Sequence, residues 1–370
     1  MHLGYYIHHH GKGHLNRAKT LASKMDLPMT VMGSNVRLED WSAIKDCNVL
    51  PLPDDSIVKN IPLNRDKGTS SLHYSPLYSR NICYRFRLIA DWVDQVKPTA
   101  VIVDVSSEVT QFFRLLGVPV LSIRQHGDRT DNPHLIGYES AFKLLASYPE
   151  ELEQDNVLDW IKAKTIYMPG FSRYSSHTLT KEMSRTSLGL PFDRKIVVVI
   201  NGNGGDSINL PKVINKANKS KDWYWIVVGK IEPKEIIIPE NVLVAGWVED
   251  TFAYLKSADV IVASSGHNTV MEIGSARVPY IAIPETRPFD EQLNKALVLE
   301  KKGLCKVMVE LPDKEDLEES LAQDVSLWSK IINASGVEQA CSIIRSTVYF
   351  LEEYRLESNF TRPHTPALLD

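Results

Sequence analysis

The sequence has few cysteines, the residues that build disulfide frameworks and thiolate zinc sites. It has four cysteines in 370 residues, and no two of them form a C-x-x-C pair. They are scattered along the chain at Cys47, Cys83, Cys305 and Cys341. Neither a zinc site nor a set of disulfides is indicated, so we expect reduced thiols, as in a cytoplasmic protein.

Long apolar runs and a large excess of one charge are also missing. No stretch approaches the roughly 20 apolar residues of a transmembrane helix, and residues 1–25 have the pattern of a strand and a helix instead of a signal peptide. The formal net charge of −4 provides no general attraction to nucleic acid. We therefore expect a cytoplasmic protein without a nucleic-acid partner, and peripheral membrane contact stays open.

Strands and helices alternate along the chain, and the pattern begins twice. A strand at residues 3–7 is followed by a glycine-containing turn and a helix from Leu15 to about Met25. The same order recurs where an apolar strand, residues 195–200, runs into the glycine-rich turn at residues 201–207. This repeat predicts two similar α/β domains, and a chain of 370 residues is long enough for both.

We therefore predict an α/β fold of two Rossmann-like domains that face a central cleft. The expected divisions are residues 1–168, residues 169–335 and a C-terminal segment, residues 336–370. Within that segment, a helix from about Val337 to Tyr354 has one apolar face. We expect this helix to pack back across the domains.

The first glycine-containing turn reads His8-His9-His10-Gly11-Lys12-Gly13-His14. Three adjacent histidines are either the remnant of a tag or a native loop, and their position between a strand and a helix favours the loop. The turn lacks the third glycine of a dinucleotide fingerprint, and no acidic residue ends the second strand. These departures argue against NAD binding and leave His14 at the start of a helix.

Residues 259–303 contain a second motif, a βαβ unit. A strand at residues 260–263 ends in the turn Ser264-Ser265-Gly266, and a helix from Asn268 or Thr269 leads to a strand at residues 279–283. Such a turn lies at the ligand-binding edge of an open sheet, and the helix N-terminus offers N–H groups to an anion. Together with the glycines at 202, 204 and 205, this turn could hold a diphosphate.

Three polar side chains, two after strands and one on a helix, are further candidates for the binding site. Asp104 and His126 follow neighbouring strands and could face a cleft, but Asp104 could equally cap the next helix. Glu272, in the first two turns of its helix, suits a ribose diol or serves as a partner of the helix dipole.

The region from residue 59 to residue 97 is basic, with seven Lys or Arg against three acids. It contains much of a predicted long loop, residues 53–80. The basic region is either a solvated surface or a patch for an anionic acceptor or for anionic lipid headgroups.

A family resemblance follows from residues 246–303, GWVEDTFAYLKSADVIVASSGHNTVMEIGSARVPYIAIPETRPFDEQLNKALVLEKKG. This run resembles the donor-binding domain of GT-B glycosyltransferases, above all the MurG-like N-acetylglucosaminyltransferases of peptidoglycan precursor synthesis. The shared elements are a base-binding turn, an SG…T..E helix, a G.P….P strand and loop, and a (D/E)Q..NA helix. The GKGHLNRA and INGNGG loops resemble the family's two glycine-rich turns.

The resemblance implies a role for each matching residue. It implies an N-terminal acceptor-binding domain and a C-terminal donor-binding domain, with a nucleotide-sugar donor as substrate. The donor-binding residues would be Arg173, Asn203, Gly204, Gly205, Val248, Ser265, Gly266, His267, Asn268, Thr269, Glu272, Glu291 and Gln292. Val248 would present its backbone to the base, Glu272 would bind the ribose, and Gln292 with Glu291 would hold the sugar.

On the acceptor side we predict that His14 is the catalytic base, with Asp104 or a neighbour orienting its ring. Histidine suits this role because its reference pKa is about 6.5. The other acceptor-side candidates are His10, Gly13, Asp104 and His126, and His9 is a further reserve for the base. Transfer would proceed by in-line displacement with inversion, without a cofactor or a bound metal.

Several features stay open in the sequence. Lys295 replaces the asparagine of the family's N-A pair, and Glu291 replaces a glutamine. The acceptor hydroxyl is unknown and could be anionic or lipid-linked, with the protein peripheral on the inner face of the membrane. A nucleotide-sugar epimerase of the same fold and a non-catalytic nucleotide-sugar-binding protein are the alternatives to a glycosyltransferase of cell-envelope, polysaccharide or glycoconjugate synthesis.

Overall fold

The computed structural model describes residues 1–8, 12–55, 69–201, 208–229 and 236–359. Within these ranges thirteen strands form two sheets, and every pair of neighbouring strands is parallel. Residues 202–207 of the glycine-rich turn and residues 56–68 of the predicted long loop lie outside the described residues.

The first sheet has the strand order β3-β2-β1-β4-β5-β6-β7. Its strands are β1 (Leu3–Tyr6), β2 (Met29–Gly33), β3 (Cys47–Pro51), β4 (Ala100–Asp104), β5 (Val120–Arg124), β6 (Lys143–Ala146) and β7 (Thr165–Tyr167). The helices of this half are α1 (Lys12–Ala22), α2 (Arg80–Val96), α3 (Ser107–Leu115), α4 (Asn132–Ser140) and α5 (Asp159–Lys164), with 3₁₀ turns at Val36–Leu38 and Glu150–Leu152.

The second sheet repeats this order as β10-β9-β8-β11-β12-β13. Its strands are β8 (Lys195–Asn201), β9 (Trp223–Gly229), β10 (Val242–Gly246), β11 (Val260–Ala263), β12 (Tyr280–Ala282) and β13 (Lys306–Val307). The helices that follow β7 are α6 (Lys181–Ser187), α7 (Leu210–Lys219), α8 (Phe252–Ser257), α9 (His267–Ala276), α10 (Glu291–Lys301), α11 (Lys314–Ser320) and α12 (Gly336–Asn359), with 3₁₀ turns at Pro288–Asp290 and Val325–Lys330.

Both sheets are covered by helices on their two faces, and their central strands are mostly apolar for that reason. In β4, alternate side chains serve different cores: Ile102 packs with α1 and α12, whereas Val101 and Val103 pack with α2 and α3. The strand order 3-2-1-4-5-6 in each half is that of a doubly wound sheet, which binds ligands beyond the carboxyl ends of its strands. The predicted fold of two Rossmann-like halves is confirmed, and the domain boundaries stay predictions.

Helix α12 returns to the first half of the molecule, as predicted. Its apolar face lies in one core with α1 and the first sheet, through Val337, Ala340, Cys341, Ile344, Val348 and Leu351. Further along, Thr99 donates to Glu352 Oε2 over 2.7 Å, and Arg355 donates to the carbonyl of Lys97 over 3.0 Å. The helix therefore ties the end of the described chain to its beginning.

Two helix starts differ from the predictions, and both changes matter for the cleft. Helix α1 begins at Lys12 instead of Leu15, so Gly13 and His14 belong to its first turn. A glycine is tolerated there because the first four N–H groups of a helix need no partner within it. Helix α9 begins at His267, one or two residues early, with Gly266 as its N-cap and no side chain bonded to its first amides.

Two smaller observations concern the predicted compartment. All four cysteines are free thiols. In the part of the chain that the structure describes, no helix combines the length and the apolarity needed to cross a bilayer.

The packing of α12 provides a test of the fold. Ile344 is fully buried in the core that α12 shares with α1 and the first sheet. We therefore expect Ile344→Ala to lower the free energy of unfolding by about 2–5 kcal/mol. Urea denaturation followed by circular dichroism measures this change. Glu353→Ala, an exposed site on the same helix, is the control, and an equal effect of both variants would contradict the assigned packing.

Candidate functional site

A buried charge network lies at the carboxyl end of β4. Asp104 is fully buried, and its Oδ1 lies 2.6 Å from Arg17 NH2 and 2.9 Å from His14 Nδ1. Its Oδ2 accepts from Arg17 Nε over 3.1 Å and from the Tyr5 hydroxyl over 3.2 Å. Asp104 does not cap helix α3, because that position belongs to Ser106, whose Oγ accepts from Val109 N. The capping interpretation of Asp104 is therefore wrong.

The charges of this network fix the state of the histidine ring. Burial by itself would raise the pKa of Asp104, but the Arg17 guanidinium and His14 outweigh it and hold that pKa well below its usual range. An ionised carboxylate only accepts hydrogen bonds, so the proton of a neutral His14 sits on Nδ1. The Nε2 of His14 is then the lone-pair nitrogen. Arg17 NH2, 3.1 Å from Nδ1, contacts that nitrogen without donating to it.

The backbone beside Asp104 is strained. The next residue, Val105, has φ = 63°, in the left-handed region that β-branched side chains rarely adopt. Such strain costs on the order of 1–3 kcal/mol and is concentrated at functional sites. Here it turns the chain away from the sheet immediately after the carboxylate.

The N-terminus of α9 faces this network from the second half of the molecule. Asn268 Nδ2 donates to the carbonyl of Gly13 over 3.0 Å, which joins the first turns of α1 and α9. The turn before α9 is fixed by Ser265, whose Oγ donates to the carbonyl of Gln292 over 2.8 Å. Because no side chain caps α9, its first N–H groups are available to an anion at this edge.

The amide of Gln292 lies next to the same turn. Its Oε1 accepts from the backbone N–H of Glu285 over 2.9 Å, and a side chain at Gly266 would point toward its Nε2. Thr269 Oγ1 lies equally near that point. The structure therefore places Gln292, the predicted sugar-binding residue, beside Ser265, Gly266 and Thr269 of the predicted diphosphate turn.

His267 stands at the first position of α9 and is partly exposed. Burial lowers the pKa of its ring well below the usual value, and the cations Lys295 and Arg17 add to this effect. The ring is therefore neutral near pH 7. Because the His267 ring carries no charge, the positive groups near the N-terminus of α9 are its N–H groups and the cations Lys295 and Arg17.

Glu272 is paired with Arg173, another of the predicted donor-binding residues. Arg173 Nε donates to Glu272 Oε1 over 2.9 Å, and Thr251 Oγ1 lies 3.4 Å from Oε2. Burial raises the pKa of Glu272, and Arg173 opposes this rise. Arg173 also donates to the carbonyl of Glu249 over 3.0 Å, so it connects Glu272 to the segment after β10.

The predicted base-binding residue Val248 follows β10 on that segment and is partly buried against the second core. Its neighbour Trp247 is exposed, and Lys12 Nζ from the first half lies 5.5 Å from the centre of the indole ring. A cation and an aromatic ring from opposite walls therefore meet at this end of the cleft.

A second contact between the two halves surrounds Glu291. Phe289 and Asp290 have left-handed backbones, with φ of 62° and 50°, and the Phe289 carbonyl accepts from Asp128 N over 2.7 Å. Glu291 then lies 3.5 Å from Arg129 NH2 and 3.3 Å from Lys295 Nζ. Burial alone would raise the pKa of Glu291, but Lys295, Arg129 and His14 lower it, so the carboxylate is ionised.

Some predicted site residues lie outside the described residues, and one described candidate is buried. His10, Asn203, Gly204 and Gly205 lie outside the described residues, as does the reserve His9. His126 is buried: its Nε2 is 2.7 Å from the carbonyl of Leu152, and its ring packs against Tyr148. His126 is 2% exposed, so its predicted place on the open cleft is wrong; burial lowers the pKa of its ring, and Lys295 of the second half lowers it further.

Arg85, one of the cations counted in the basic region of residues 59–97, is not on the surface. Arg85 is 2% exposed, and it donates to the Tyr6 hydroxyl over 2.6 Å and pairs with Asp55 at 3.5 Å. It is therefore an internal cation. Arg80, Arg87 and Lys97 are exposed, and the lysines and arginine at 59, 65 and 67 lie outside the described residues.

One cluster has the composition of a metal site. Ligand atoms of His73, Asp131 and His134 lie within 4.8 Å of one another. Both rings bond the carboxylate, at 2.9 Å from His73 Nε2 and 2.7 Å from His134 Nδ1. Arg129 NH1 lies 2.9 Å from His134 Nε2, so that nitrogen accepts and Nδ1 carries the proton that a metal would displace. The donor set fits a divalent cation, but Arg129 opposes its binding.

Sequence reasoning assigned no role to Arg17, Arg129 or Phe289. Arg17 had a signal, because it lies three residues after His14 on one helix face and a buried-strand aspartate needs a partner. Arg129 and Phe289 had none, since their contact depends on how the two halves meet.

The second half of the chain matches a known family. Residues 230–333 match the glycosyltransferase family 28 C-terminal domain. An uncharacterized glycosyltransferase from Methanosarcina mazei is 29% identical over 209 residues, which cover 55% of this chain and 52% of that protein. The UDP-N-acetylglucosamine--N-acetylmuramyl-(pentapeptide) pyrophosphoryl-undecaprenol N-acetylglucosamine transferase of Acetivibrio thermocellus is 26% identical over 170 residues, covering 42% of this chain and 45% of that protein. The chain thus matches about half the length of these curated relatives.

Solved structures match over nearly the whole chain. The crystal structure of Acinetobacter baumannii MurG has a TM-score of 0.59 and 16% identity, covering 93% of this chain and 99% of that one. The glycotransferase of kitacinnamycin has a TM-score of 0.66 and 14% identity, covering 93% and 98%. The protein therefore has the two-domain α/β fold of GT-B glycosyltransferases. It resembles MurG in that fold, and residues 230–333 resemble the family 28 C-terminal domain.

The buried pair at Asp104 provides a test with a defined pH dependence. Asp104→Asn leaves Arg17 buried without its counter-charge, so we expect the free energy of unfolding at pH 7 to fall by about 3 kcal/mol. The folded-state pKa of Asp104 is lowered, so its contribution is complete above the unfolded pKa of about 3.9 and is lost as pH falls below it.

The deficit of the Asp104→Asn variant should therefore shrink between about pH 5 and about pH 3, and urea denaturation across that range measures it. Asp193→Asn, at an exposed position, is the matched control. A deficit that stays constant with pH would contradict the assigned charge state.

Proposed function

We propose that the protein is a glycosyltransferase that moves a sugar from a nucleotide diphosphate donor to an acceptor hydroxyl. The observation that carries this proposal is the meeting of two unlike groups across the cleft. One is a histidine held by a buried carboxylate, 2.9 Å from Nδ1 to Oδ1, and the other is the uncapped N-terminus of α9. They are joined by the 3.0 Å bond from Asn268 to Gly13. A proton acceptor beside an anion site is what group transfer from a diphosphate requires.

The donor would lie against the second half. The diphosphate would rest at the N-terminus of α9, on the turn formed by Ser265 and Gly266. Glu272 would take the ribose hydroxyls, the backbone of Val248 the base, and Gln292 with Glu291 the sugar. UDP is the proposed nucleotide, because the Acetivibrio thermocellus relative is named for a UDP-sugar.

The chemical step follows from the tautomer of His14. Nε2 accepts the proton of the acceptor hydroxyl while that oxygen attacks the anomeric carbon and the bond from this carbon to the diphosphate oxygen breaks. Asp104 stabilises the imidazolium that forms. The electron pair leaves with the diphosphate, whose charge is met by the N–H groups of α9. One displacement inverts the anomeric centre, and no bound metal or cofactor takes part.

The acceptor and its location form the finer part of the proposal. The name of the same relative contains a pyrophosphoryl-undecaprenol, an anionic lipid-linked acceptor. In this protein Leu77, Tyr78 and Tyr84 are exposed next to the cations Arg80 and Arg87. Apolar side chains beside cations suit peripheral contact with an anionic membrane. We propose a cytoplasmic protein that acts at the inner membrane face in cell-envelope or glycoconjugate synthesis.

Consumption of UDP-sugars with and without candidate acceptors tests the activity. Transfer requires the acceptor, whereas an epimerase converts the donor alone and a non-catalytic binder does neither.

His14→Ala should lower the transfer rate by about 10²- to 10⁴-fold, the usual contribution of a general base, and leave donor affinity unchanged. His177→Ala, at an exposed position, is the control. Near-normal turnover in the His14 variant would exclude it as the base.

The placement of the nucleotide is tested by Glu272→Ala. Loss of hydrogen bonds from the ribose to a carboxylate should weaken UDP binding by roughly 10- to 100-fold, measured by titration calorimetry. Glu249→Ala removes an exposed carboxylate from the same rim and should leave the affinity unchanged. Stronger binding of GDP or dTDP by the wild type would redirect the choice of nucleotide, and equal UDP binding by both variants would overturn the site.

A further inference from the structure

Lys295 is a cation buried at the meeting of the two halves. It lies one turn into α10, and it is 2% exposed. Its ammonium has three N–H donors, but the only acceptor found for it among the described residues is Glu291 Oε1, at 3.3 Å. Burial lowers the pKa of Lys295, and Glu291 opposes the change. The ammonium is thus withdrawn from water with most of its hydrogen-bonding capacity unused.

The charges around Lys295 do not balance. Glu291 is shared between Lys295 and Arg129, and no other carboxylate of the described residues lies within 4 Å of either cation. Arg17 is also near enough to affect Lys295, but Asp104 already neutralises it. The rings of His126 and His267 are neutral, because burial lowers their pKa values well below the usual one. Among the described residues, one positive charge of the cluster therefore lacks a carboxylate partner of its own within 4 Å.

The position of Lys295 identifies the part of a donor that would supply the counter-charge. Glu272 and Val248, the proposed ribose and base residues, lie on α9 and after β10. Lys295 lies instead one turn after Gln292 and four residues after Glu291, the proposed sugar-binding residues, on the side where His14 influences Glu291. The ammonium therefore contacts Glu291, one of the two proposed sugar-binding residues, and not the proposed ribose or base residues.

From this geometry we propose that the transferred sugar carries a carboxylate, as a uronic acid does, and that Lys295 with Arg129 recognises it. The proposal rests on the proposed function, because it takes a nucleotide-sugar as the donor. A sugar carboxylate would supply the acceptor oxygens that the buried ammonium lacks and would neutralise the excess charge. A neutral sugar would leave the cation uncompensated, which is costly in a buried site.

The test compares donors that differ only at carbon 6 of the sugar. UDP-glucuronate and UDP-glucose form one pair, and UDP-galacturonate and UDP-galactose form another; UDP alone reports on the nucleotide site. With the full-length protein, titration calorimetry should show one uronate bound at least about tenfold more tightly than its neutral partner, the effect of a hydrogen bond between charged groups. In Lys295→Gln this preference should disappear while the affinity for UDP stays unchanged.

Two further variants control for folding and for charge in general. Lys295→Arg keeps the cation and should keep most of the preference, which a purely structural role would not predict. Lys301→Gln removes an exposed lysine of the same helix, 64% exposed and paired with Asp155, and should change nothing.

The outcomes separate this proposal from the one on which it rests. Equal affinity for the two members of both pairs, or a preference that survives in Lys295→Gln, would overturn recognition of a sugar carboxylate alone. A parallel loss of UDP affinity in Lys295→Gln would assign the cation to the diphosphate and overturn it as well. Failure of UDP and all four sugar nucleotides to bind would overturn the proposed function itself.

Discussion

The ion pair between Arg17 and Asp104 is the interaction on which the geometry of the cleft depends. Both side chains are buried, so neither charge is stable there without the other. The pair fixes α1 against the end of β4, and His14, one turn earlier on α1, is positioned with it. The same helix turn offers the carbonyl of Gly13 to Asn268. The ring orientation and tautomer of His14 and the Gly13–Asn268 contact between the two halves therefore all depend on one buried pair.

The second wall of the cleft depends on a strained loop. Two consecutive residues, Phe289 and Asp290, have left-handed backbones, and the Phe289 carbonyl is held by Asp128 N. Gly127 is required at this contact, because its φ is +117° and a Cβ there would lie 2.6 Å from that carbonyl. Glu291 directly follows this loop, and its carboxylate lies beside Arg129 of the first half. Strain in one half is thus offset by bonds to the other.

Sequence patterns predicted strand positions correctly but misjudged one helix start and the burial of two polar side chains. The strand at 260–263 was predicted at its observed bounds, because a continuous apolar run has few alternatives to a buried parallel strand. The start of α1 was misplaced by three residues, since glycines were taken as turn residues and the first turn of a helix tolerates them. His126 and Arg85 were assigned to surfaces, although both side chains are buried. Whether a polar side chain after a strand turns inward is decided by partners distant in sequence, here Leu152 and Tyr6.

The sequence by itself determined the tandem of α/β halves, the edge of each sheet that receives ligands, and the resemblance of residues 246–303 to a donor-binding domain. These features follow from local periodicity, turn residues and spacing along the chain. Only the tertiary structure decided that Asp104 bonds His14 instead of capping a helix, and that Lys295 and Arg129 share a single carboxylate. Those contacts join residues 90 or more positions apart, except for the Lys295–Glu291 pair. They depend on how the two sheets face each other, which no local pattern encodes.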